Sequence, residues 1–193
     1  DLGGSTRITK SIETGLLPLR NFSSLEYDAR PQNWALVRDH RGVMYFGNNE
    51  GILEFDGIRW RKIPSPDETS IRSLAIDDNG RIYVGAQGDF GFLSPDSSGK
   101  LQYRSLLHKL QSRDREFADV WRTLVTSDGV YYQSSDIIFL YHNDTIKTWH
   151  AEKHAETNKS YHLMFYANET VYVRQRGIGL KKMIGDQLVL VQG

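Results

Sequence analysis

Polar and aromatic side chains with binding chemistry recur in this sequence where apolar segments begin and where they are joined. They are Asn48, Asn49, Glu50, Gln87, Asp89, Phe90, Asp136 and Arg176 in the connections, and Asn33, Trp34, Arg72 and Trp121 at the starts of apolar runs. Amides and carboxylates form paired hydrogen bonds with hydroxyl groups, and aromatic rings cover the apolar face of a sugar. The set is therefore predicted to bind a small ligand such as an oligosaccharide. Asn, Asp and Gly are also the usual residues of tight turns, so a single turn taken alone is more simply structural.

Two further groups resemble metal sites, and the sequence favours a structural role for both. His150 and His154 stand four residues apart, a spacing that could hold zinc on a helix, and Glu152 and Glu156 lie beside them. No third ligand is evident, so a solvated polar loop explains the segment better. The stretch Asp77–Gly80 lacks the downstream glutamate of a calcium loop and is expected to be a turn. No metal or other cofactor is predicted.

Catalytic signatures are absent from the sequence. Neither Gly-x-Ser-x-Gly, nor His-Glu-x-x-His, nor a phosphate-binding loop occurs. The chain has no cysteine, which excludes disulfides and thiolate catalysis. Carboxylates are plentiful, but the sequence nominates no pair at the fixed separation that a glycosidase needs. A non-enzymatic role is therefore expected for this region.

The charge balance limits the partners. Lysine and arginine together number 24, and so do aspartate and glutamate. The summed field therefore attracts neither nucleic acid nor an anionic membrane. No apolar run approaches the roughly 18 residues of a membrane-spanning helix. Membrane attachment is expected only through a helix downstream of this chain.

The elements that position these side chains repeat along the chain. Four apolar triplets are centred on Tyr45, Tyr83, Tyr131 and Tyr172, and they recur at intervals of roughly 40 residues. A tight polar turn precedes each triplet, which is typical of antiparallel strands. One unit of this length cannot bury its own apolar face, so the units are expected to pack against one another.

Each repeat divides into four short strands, which is the arrangement of a β-propeller blade. We therefore predict an all-β fold in which a flexible leader, residues 1–15, precedes a partial β-propeller, residues 16–193. Residues 16–22 are predicted as an edge strand, and the four four-stranded antiparallel blades are predicted at residues 33–63, 71–106, 119–149 and 161–191. Propellers of this repeat length commonly have about six to eight blades. The chain is thus expected to be the N-terminal part of a larger propeller of about seven blades.

Blade geometry is expected to bring the candidate residues together. Strands alternate in direction, so the connections between blades and the turns between second and third strands share one rim. Beside the channel at that rim we expect Asn33, Trp34, Arg72, Asp119, Trp121 and His162. Trp60 and Trp149 fall in outer strands, where they are expected to pack rather than to bind.

The first two repeats resemble a known family of sensors. The similarity lies in residues 19–22, 31–35 and 55–57, in GVMYFGNNEG at 42–51, and in 73–77, GRIYVGA at 80–86 and 88–91. These segments resemble the opening of two-component regulator propellers, the extracytoplasmic regions of membrane-spanning bacterial histidine kinases and hybrid regulators. The resemblance implies a periplasmic input domain, often one for glycans. It is specific over residues 19–106 and looser over 119–193, where Gln133 and Arg174 replace blade glycines.

Several functions are compatible with such a propeller. A sensor would bind its ligand on the polar rim and relay occupancy to a downstream kinase or transcription output. A protein-interaction propeller would use the same rim to dock a partner without a small ligand. A propeller lyase or glycosidase is less favoured. For this chain alone we expect dimers, because the first and last blades would each leave one face uncovered.

Overall fold

Sixteen β-strands form four antiparallel sheets in this computed structural model, which describes residues 19–152 and 160–192. The strands are β1 (Asn33–Arg38), β2 (Met44–Asn48), β3 (Gly51–Phe55), β4 (Trp60–Ile63), β5 (Ile71–Ile76), β6 (Ile82–Ala86), β7 (Phe90–Pro95), β8 (Leu101–Ser105), β9 (Arg122–Thr126), β10 (Gly129–Gln133), β11 (Ile137–His142), β12 (Thr145–His150), β13 (Tyr161–Ala167), β14 (Thr170–Gln175), β15 (Gly179–Ile184) and β16 (Gln187–Leu190). The helical elements are α1 (Ser24–Tyr27) and short 3-10 turns at Pro66–Glu68, Leu107–Lys109 and Ser112–Asp114. The predicted leader, residues 1–15, lies outside the described residues.

Each sheet is a meander in which every strand pairs with the next one along the chain. We number the sheets as blades 1 to 4 in chain order. The first strands of the blades, β1, β5, β9 and β13, pack against one another in that order. They therefore line a shared concave surface, and the fourth strands lie at the periphery. The predicted all-β fold with four four-stranded blades is confirmed.

Apolar side chains fill the space between successive blades, and the tyrosines of the repeated triplets lie within it. Tyr45 is buried between blades 1 and 2, Tyr83 between blades 2 and 3, and Tyr131 between blades 3 and 4. Tyr172 holds the same position in blade 4, but its ring is only half-buried. It stacks on Phe165 with ring centroids 5.3 Å apart. The triplet tyrosines thus pack between sheets wherever a following blade is described.

The outward face of blade 4 has no covering blade among the described residues. Leu163, Phe165, Ile184 and Val189 are exposed there. The register of β13 to β16 places these four side chains on the same side of the sheet. The opposite side packs on blade 3 through Met164. Further blades would cover such a face, and their presence stays a prediction.

The N-terminal segment packs on the outer strands of blade 1, on the face turned away from blade 2, while Leu36 of β1 stays exposed on that face. The rings of Phe22 and Tyr27 lie 5.3 and 5.4 Å from that of Trp60. Trp60 also stacks on Phe55 at 4.5 Å, so it packs as predicted. Residues 19–22 are irregular rather than an edge strand. The reason is that Phe22 docks on the face of the sheet instead of pairing along its edge.

An aspartate in the first turn of blade 2 holds both that turn and the triplet tyrosine. Oδ1 of Asp77 accepts the backbone N–H groups of Asn79 and Arg81 at 3.0 and 2.8 Å. Its Oδ2 accepts the hydroxyl of Tyr83 at 3.0 Å. Asp39 makes the corresponding contacts in blade 1. Both oxygens of the Asp77 carboxylate thus accept hydrogen bonds from the protein, which agrees with the prediction that residues 77–80 form a turn.

Glycine is required where the second strand of a blade approaches the next inner strand. A Cβ on Gly85 would lie 2.6 Å from Cγ1 and 2.9 Å from the carbonyl oxygen of Val120, and closer still to Oγ of Ser73. Gly47 is crowded in the same way by Ile71, whose Cγ2 would lie 2.9 Å from an added Cβ. The approach lets inner strands of successive blades pack with little space between them.

We expect Gly85→Ala to lower the free energy of unfolding by about 1–3 kcal/mol, because the added methyl group forces the inner strands of blades 2 and 3 apart. Urea unfolding followed by tryptophan fluorescence measures this change. Arg174→Ala is the matched control, since Arg174 is exposed at the corresponding position of blade 4. An equal free energy of unfolding for Gly85→Ala and the unchanged protein would contradict the packing argument.

Stability should fall in strongly basic solution. Burial raises the pKa of Tyr45 to about 12, helped by Glu54 and Asp39, and burial raises the pKa of Tyr131 to about 12. A tyrosine in the unfolded chain titrates near pH 10, so the unfolded state loses these protons first. The contribution of the two tyrosines is therefore complete below about pH 10 and declines as the pH rises toward about 12. Urea midpoints measured between pH 8 and pH 11.5 should drop at the basic end, less steeply in Tyr131→Phe. A flat profile would disprove the effect.

Candidate functional site

Equivalent side chains from the four blades begin the inner strands at one mouth of the channel. They are Trp34, Arg72, Trp121 and His162. The strands β1, β5 and β13 each have a register shift at this position, and Trp121 directly precedes β9. A bulge re-aims the side chain of its extra residue away from the regular alternation. All four residues line the concave surface, as expected from the sequence.

Arg72 is the centre of this group. Its guanidinium carbon lies 4.2 Å from the ring centroid of Trp34 and 5.2 Å from that of Trp121. Its Nε donates to Oδ1 of Asp119 at 2.7 Å in a mostly buried ion pair. Its Nη1 is buried and has no hydrogen-bond partner among the described residues. The guanidinium is thus fixed in place while retaining unused donor capacity.

Two indole rings flank the guanidinium from neighbouring blades. Trp34 and Trp121 meet edge to face with centroids 6.0 Å apart, and each is 40% exposed. The Nε1 of Trp34 donates to Oδ1 of Asn49 at 2.7 Å. A hydrogen bond and a cation–π contact therefore orient Trp34, and contacts with Arg72 and Trp34 orient Trp121, yet part of each ring remains open to a ligand.

The concave surface forms a cavity of about 950 Å³. Its lining includes five residues that the sequence predicts for the site. They are Trp34, Arg72, Trp121, Asp136 and Arg176. The structure brings these five together from all four blades. That they bind a ligand stays a prediction.

A second hollow of about 480 Å³ adjoins this cavity and shares Trp34 and Arg72 with it. Asn49 and Glu50, both predicted site residues, line the second hollow. The carboxylate of Glu50 accepts hydrogen bonds from Lys62 and Arg30 at 3.0 and 3.3 Å. Lys62, and then Arg30, lower the pKa of Glu50. Of the two glutamates that line this hollow, Glu50 and Glu68, the first is thus already paired with two cations.

Three other predicted residues maintain the rim rather than face either hollow. The buried amide of Asn48 donates to the carbonyl of Arg30 at 2.7 Å and to the side-chain oxygen of Asn33 at 2.8 Å. Gln87 donates its backbone N–H to the carbonyl of Ser70 at 2.9 Å. Asn33, Asn48 and Gln87 are absent from the lining of both hollows. Their contacts hold the turns at this rim.

Asp89 and Phe90 require a correction. The sequence places them on the rim, but Phe90 is fully buried, with its ring 4.6 Å from those of Tyr132 and Phe139. Asp89 is buried and accepts the hydroxyl of Ser105 at 2.9 Å, and burial raises its pKa. The turn ends before Phe90, which already opens β7 and points toward blade 3. Neither side chain can reach a ligand in the cavity.

Only part of the histidine pair considered for zinc lies within the described residues. Nε2 of His150 lies 3.0 Å from Oδ1 of the buried Asp114. His154 and Glu156 lie outside the described residues. Across residues 19–152 and 160–192, no group of three or more metal-ligating side chains converges. In the same residues no helix has the length and apolar character needed to cross a bilayer.

A charged cavity residue, Arg122, was not anticipated. Arg122 lines the cavity at the start of β9, where the corresponding positions of blades 1 and 2 hold Ala35 and Ser73. Sequence reasoning considered the preceding residue, Trp121, and overlooked its neighbour. Counting nine residues back from each triplet tyrosine would have shown this arginine in a column that otherwise holds leucines, Leu36, Leu74 and Leu163.

Comparisons with known proteins bear on the fold. No protein-family model and no curated protein matches the chain. The extracellular domain of the hybrid two-component system BT4673 from B. thetaiotaomicron is similar in structure, with a TM-score of 0.57 and 17% identity over 81% of this chain and 20% of its own. A streptogramin B lyase has a TM-score of 0.60 and 11% identity over 85% of this chain and 57% of its own. YCF48 from Cyanidioschyzon merolae has a TM-score of 0.53 and 11% identity over 79% of this chain and 50% of its own.

The chain folds as four blades of a β-propeller. It spans about one fifth of the BT4673 domain and little more than half of the lyase. At these identities the likeness concerns the propeller fold. The cavity described above therefore lies where the inner strands of a propeller surround its channel.

The ion pair of Arg72 with Asp119 should contribute measurably to stability. Asp119→Ala leaves the mostly buried Nε of Arg72 without an acceptor, which we expect to lower the free energy of unfolding by about 1–3 kcal/mol. Tryptophan emission should shift as well, because Arg72 is no longer held against the indoles. The matched control, Lys147→Ala, breaks an exposed pair with Asp186 and should cost at most about 1 kcal/mol. Equal losses in the two variants would contradict the prediction.

Proposed function

We propose that this propeller is the extracytoplasmic ligand-sensing module of a two-component signalling protein. It binds a small ligand at the mouth of its channel and relays occupancy to a downstream kinase or transcription output. Two observations support the proposal: the sequence resemblance to two-component regulator propellers, and the structural similarity to the extracellular domain of BT4673. The location outside the cytoplasm belongs to the same proposal.

The convergence of Trp34, Arg72 and Trp121 carries this proposal. These three side chains come from three successive blades and meet in a cavity of about 950 Å³. Exposed indoles, a fixed cation and nearby amides are the groups that recognise polar ring-shaped ligands. A purely structural cluster would bury both indoles, whereas Trp34 and Trp121 are each 40% exposed to solvent.

The position of the site suits signalling. A ligand that contacts three blades changes the free energy of their relative arrangement, whereas a ligand held within one sheet does not. Switching an output from about 1% to about 99% occupied requires a preference of about 5.5 kcal/mol for one state. Contacts with two indoles and several charged groups can supply a preference of that order.

A non-enzymatic role is part of the proposal. Asp136 is the one carboxylate among the described residues that line the cavity, and Asp119, which is absent from that lining, is engaged by Arg72. A glycosidase needs two free carboxyl groups that flank the scissile bond. The described lining offers no such pair, so binding rather than turnover is favoured.

A protein-docking role is the second candidate, and a specific surface favours it. Leu163, Phe165, Ile184 and Val189 expose an apolar face on blade 4. Wherever no further blade covers this face, a second copy of the chain would bury it, in accordance with the dimers expected for this chain alone. Sedimentation of the chain over a range of concentrations tests self-association separately from ligand binding.

A thermal-shift and calorimetry panel tests the sensing function. We expect one class of oligosaccharides to raise the thermal midpoint of the chain, and Trp34→Ala with Trp121→Ala to weaken that binding at least about tenfold by removing the ring contacts. Trp149→Phe is the control, because Trp149 lies on β12, outside the cavity. Across a broad panel, no ligand-dependent change in midpoint or in self-association would rule out the sensing function.

A further inference from the structure

The cavity has an excess of positive charge although the chain as a whole is neutral. Arg72, Arg122 and Arg176 line it, and Asp136 is its one described carboxylate. Lysine plus arginine equals aspartate plus glutamate over the full sequence, with 24 of each. The excess is therefore a local feature of this surface and not a consequence of composition.

Two of the three arginines are free to bind an anion. Arg72 is neutralised by Asp119 at 2.7 Å. The side chains of Arg122 and Arg176 form no ion pair or hydrogen bond with any described residue, and both are exposed. A guanidinium presents a planar fork of donors that matches a carboxylate or a sulfate.

The two free arginines lie beside the aromatic pair in the same hollow. Arg122 follows Trp121 directly in the chain, and Arg176 comes from the turn that precedes β15 in blade 4. One molecule could therefore place a ring against the indoles and an anionic group near both guanidinium groups. The position of Arg122 is occupied by small residues, Ala35 and Ser73, in blades 1 and 2. Blade packing therefore does not require an arginine there.

We infer that the ligand of this site is an acidic oligosaccharide. This inference rests on the proposed sensing function and specifies its ligand class. A sugar ring packs on the exposed parts of Trp34 and Trp121, and a carboxylate or sulfate group on the sugar binds Arg122 and Arg176. Arg72 orients the indoles and is not assigned to the anion, because Asp119 balances its charge and its unpartnered Nη1 is buried away from the cavity surface.

Calorimetry on the full chain tests the inference with three tetrasaccharides of equal length: a galacturonate, a sulfated galactan and a neutral galactan. We expect at least one acidic probe to bind at least about tenfold more tightly than the neutral one, with affinity falling as sodium chloride rises from about 50 to about 300 mM. The two acidic probes distinguish carboxylate from sulfate recognition.

Arg122→Ala combined with Arg176→Ala should lower the affinity for the acidic probe at least about tenfold and leave the affinity for the neutral probe unchanged. Arg59→Ala combined with Arg104→Ala is the matched control, since both residues are exposed outside the cavity and the net charge changes equally. Circular dichroism and the thermal midpoint confirm that each variant is folded. If the control pair weakens acidic binding as much as the cavity pair does, the assigned site is wrong.

The remaining outcomes separate this inference from the function on which it rests. Equal binding of neutral and acidic probes, unaffected by the cavity arginines, overturns the acidic class while the sensing function stands. Binding of no probe and of no member of a broader panel, with no change in self-association, overturns both.

Discussion

A four-stranded sheet has two faces, and each apolar face must pack against a neighbouring element to be removed from water. In this protein the neighbours are copies of the same unit. Tyr45, Tyr83 and Tyr131 each occupy the space in front of the next blade. Close approach of the backbone at Gly85 brings the inner strands together. Face-to-face burial between blades therefore sets the spacing of every inner strand, and the channel exists only because that spacing is kept.

The candidate site depends on this packing because no single blade contains it. Arg72 of blade 2 lies between Trp34 of blade 1 and Trp121 of blade 3, and Asp119 ahead of blade 3 fixes its Nε. Each contact crosses a boundary between blades. A ligand at this mouth would thus contact several blades at once. Its binding would favour one relative arrangement of the blades over another.

The strands and turns could be predicted because their signals are local. Aspartate-containing turns ahead of the tyrosine triplets recur with the repeat, and Asp77 binds its own turn as that pattern indicates. The residues at the inner-strand starts followed from the same repeat. Asp89 and Phe90 were misplaced because the exact residue at which the turn ends and β7 begins decides whether a side chain faces the core or the rim. A shift of one residue reverses that direction. The local sequence does not specify the residue at which the strand begins.

The amino-acid sequence by itself determined the repeat, the all-β class and the column of residues that opens each inner strand. Only the tertiary structure decided which of those side chains meet. Trp34 and Trp121 are separated by two blade connections in sequence but lie 6.0 Å apart in space. Register shifts at the starts of β1, β5 and β13, together with the packing of each blade on the next, direct these side chains toward the channel. Contacts between distant segments set that geometry, so it cannot be read from residue types along the chain.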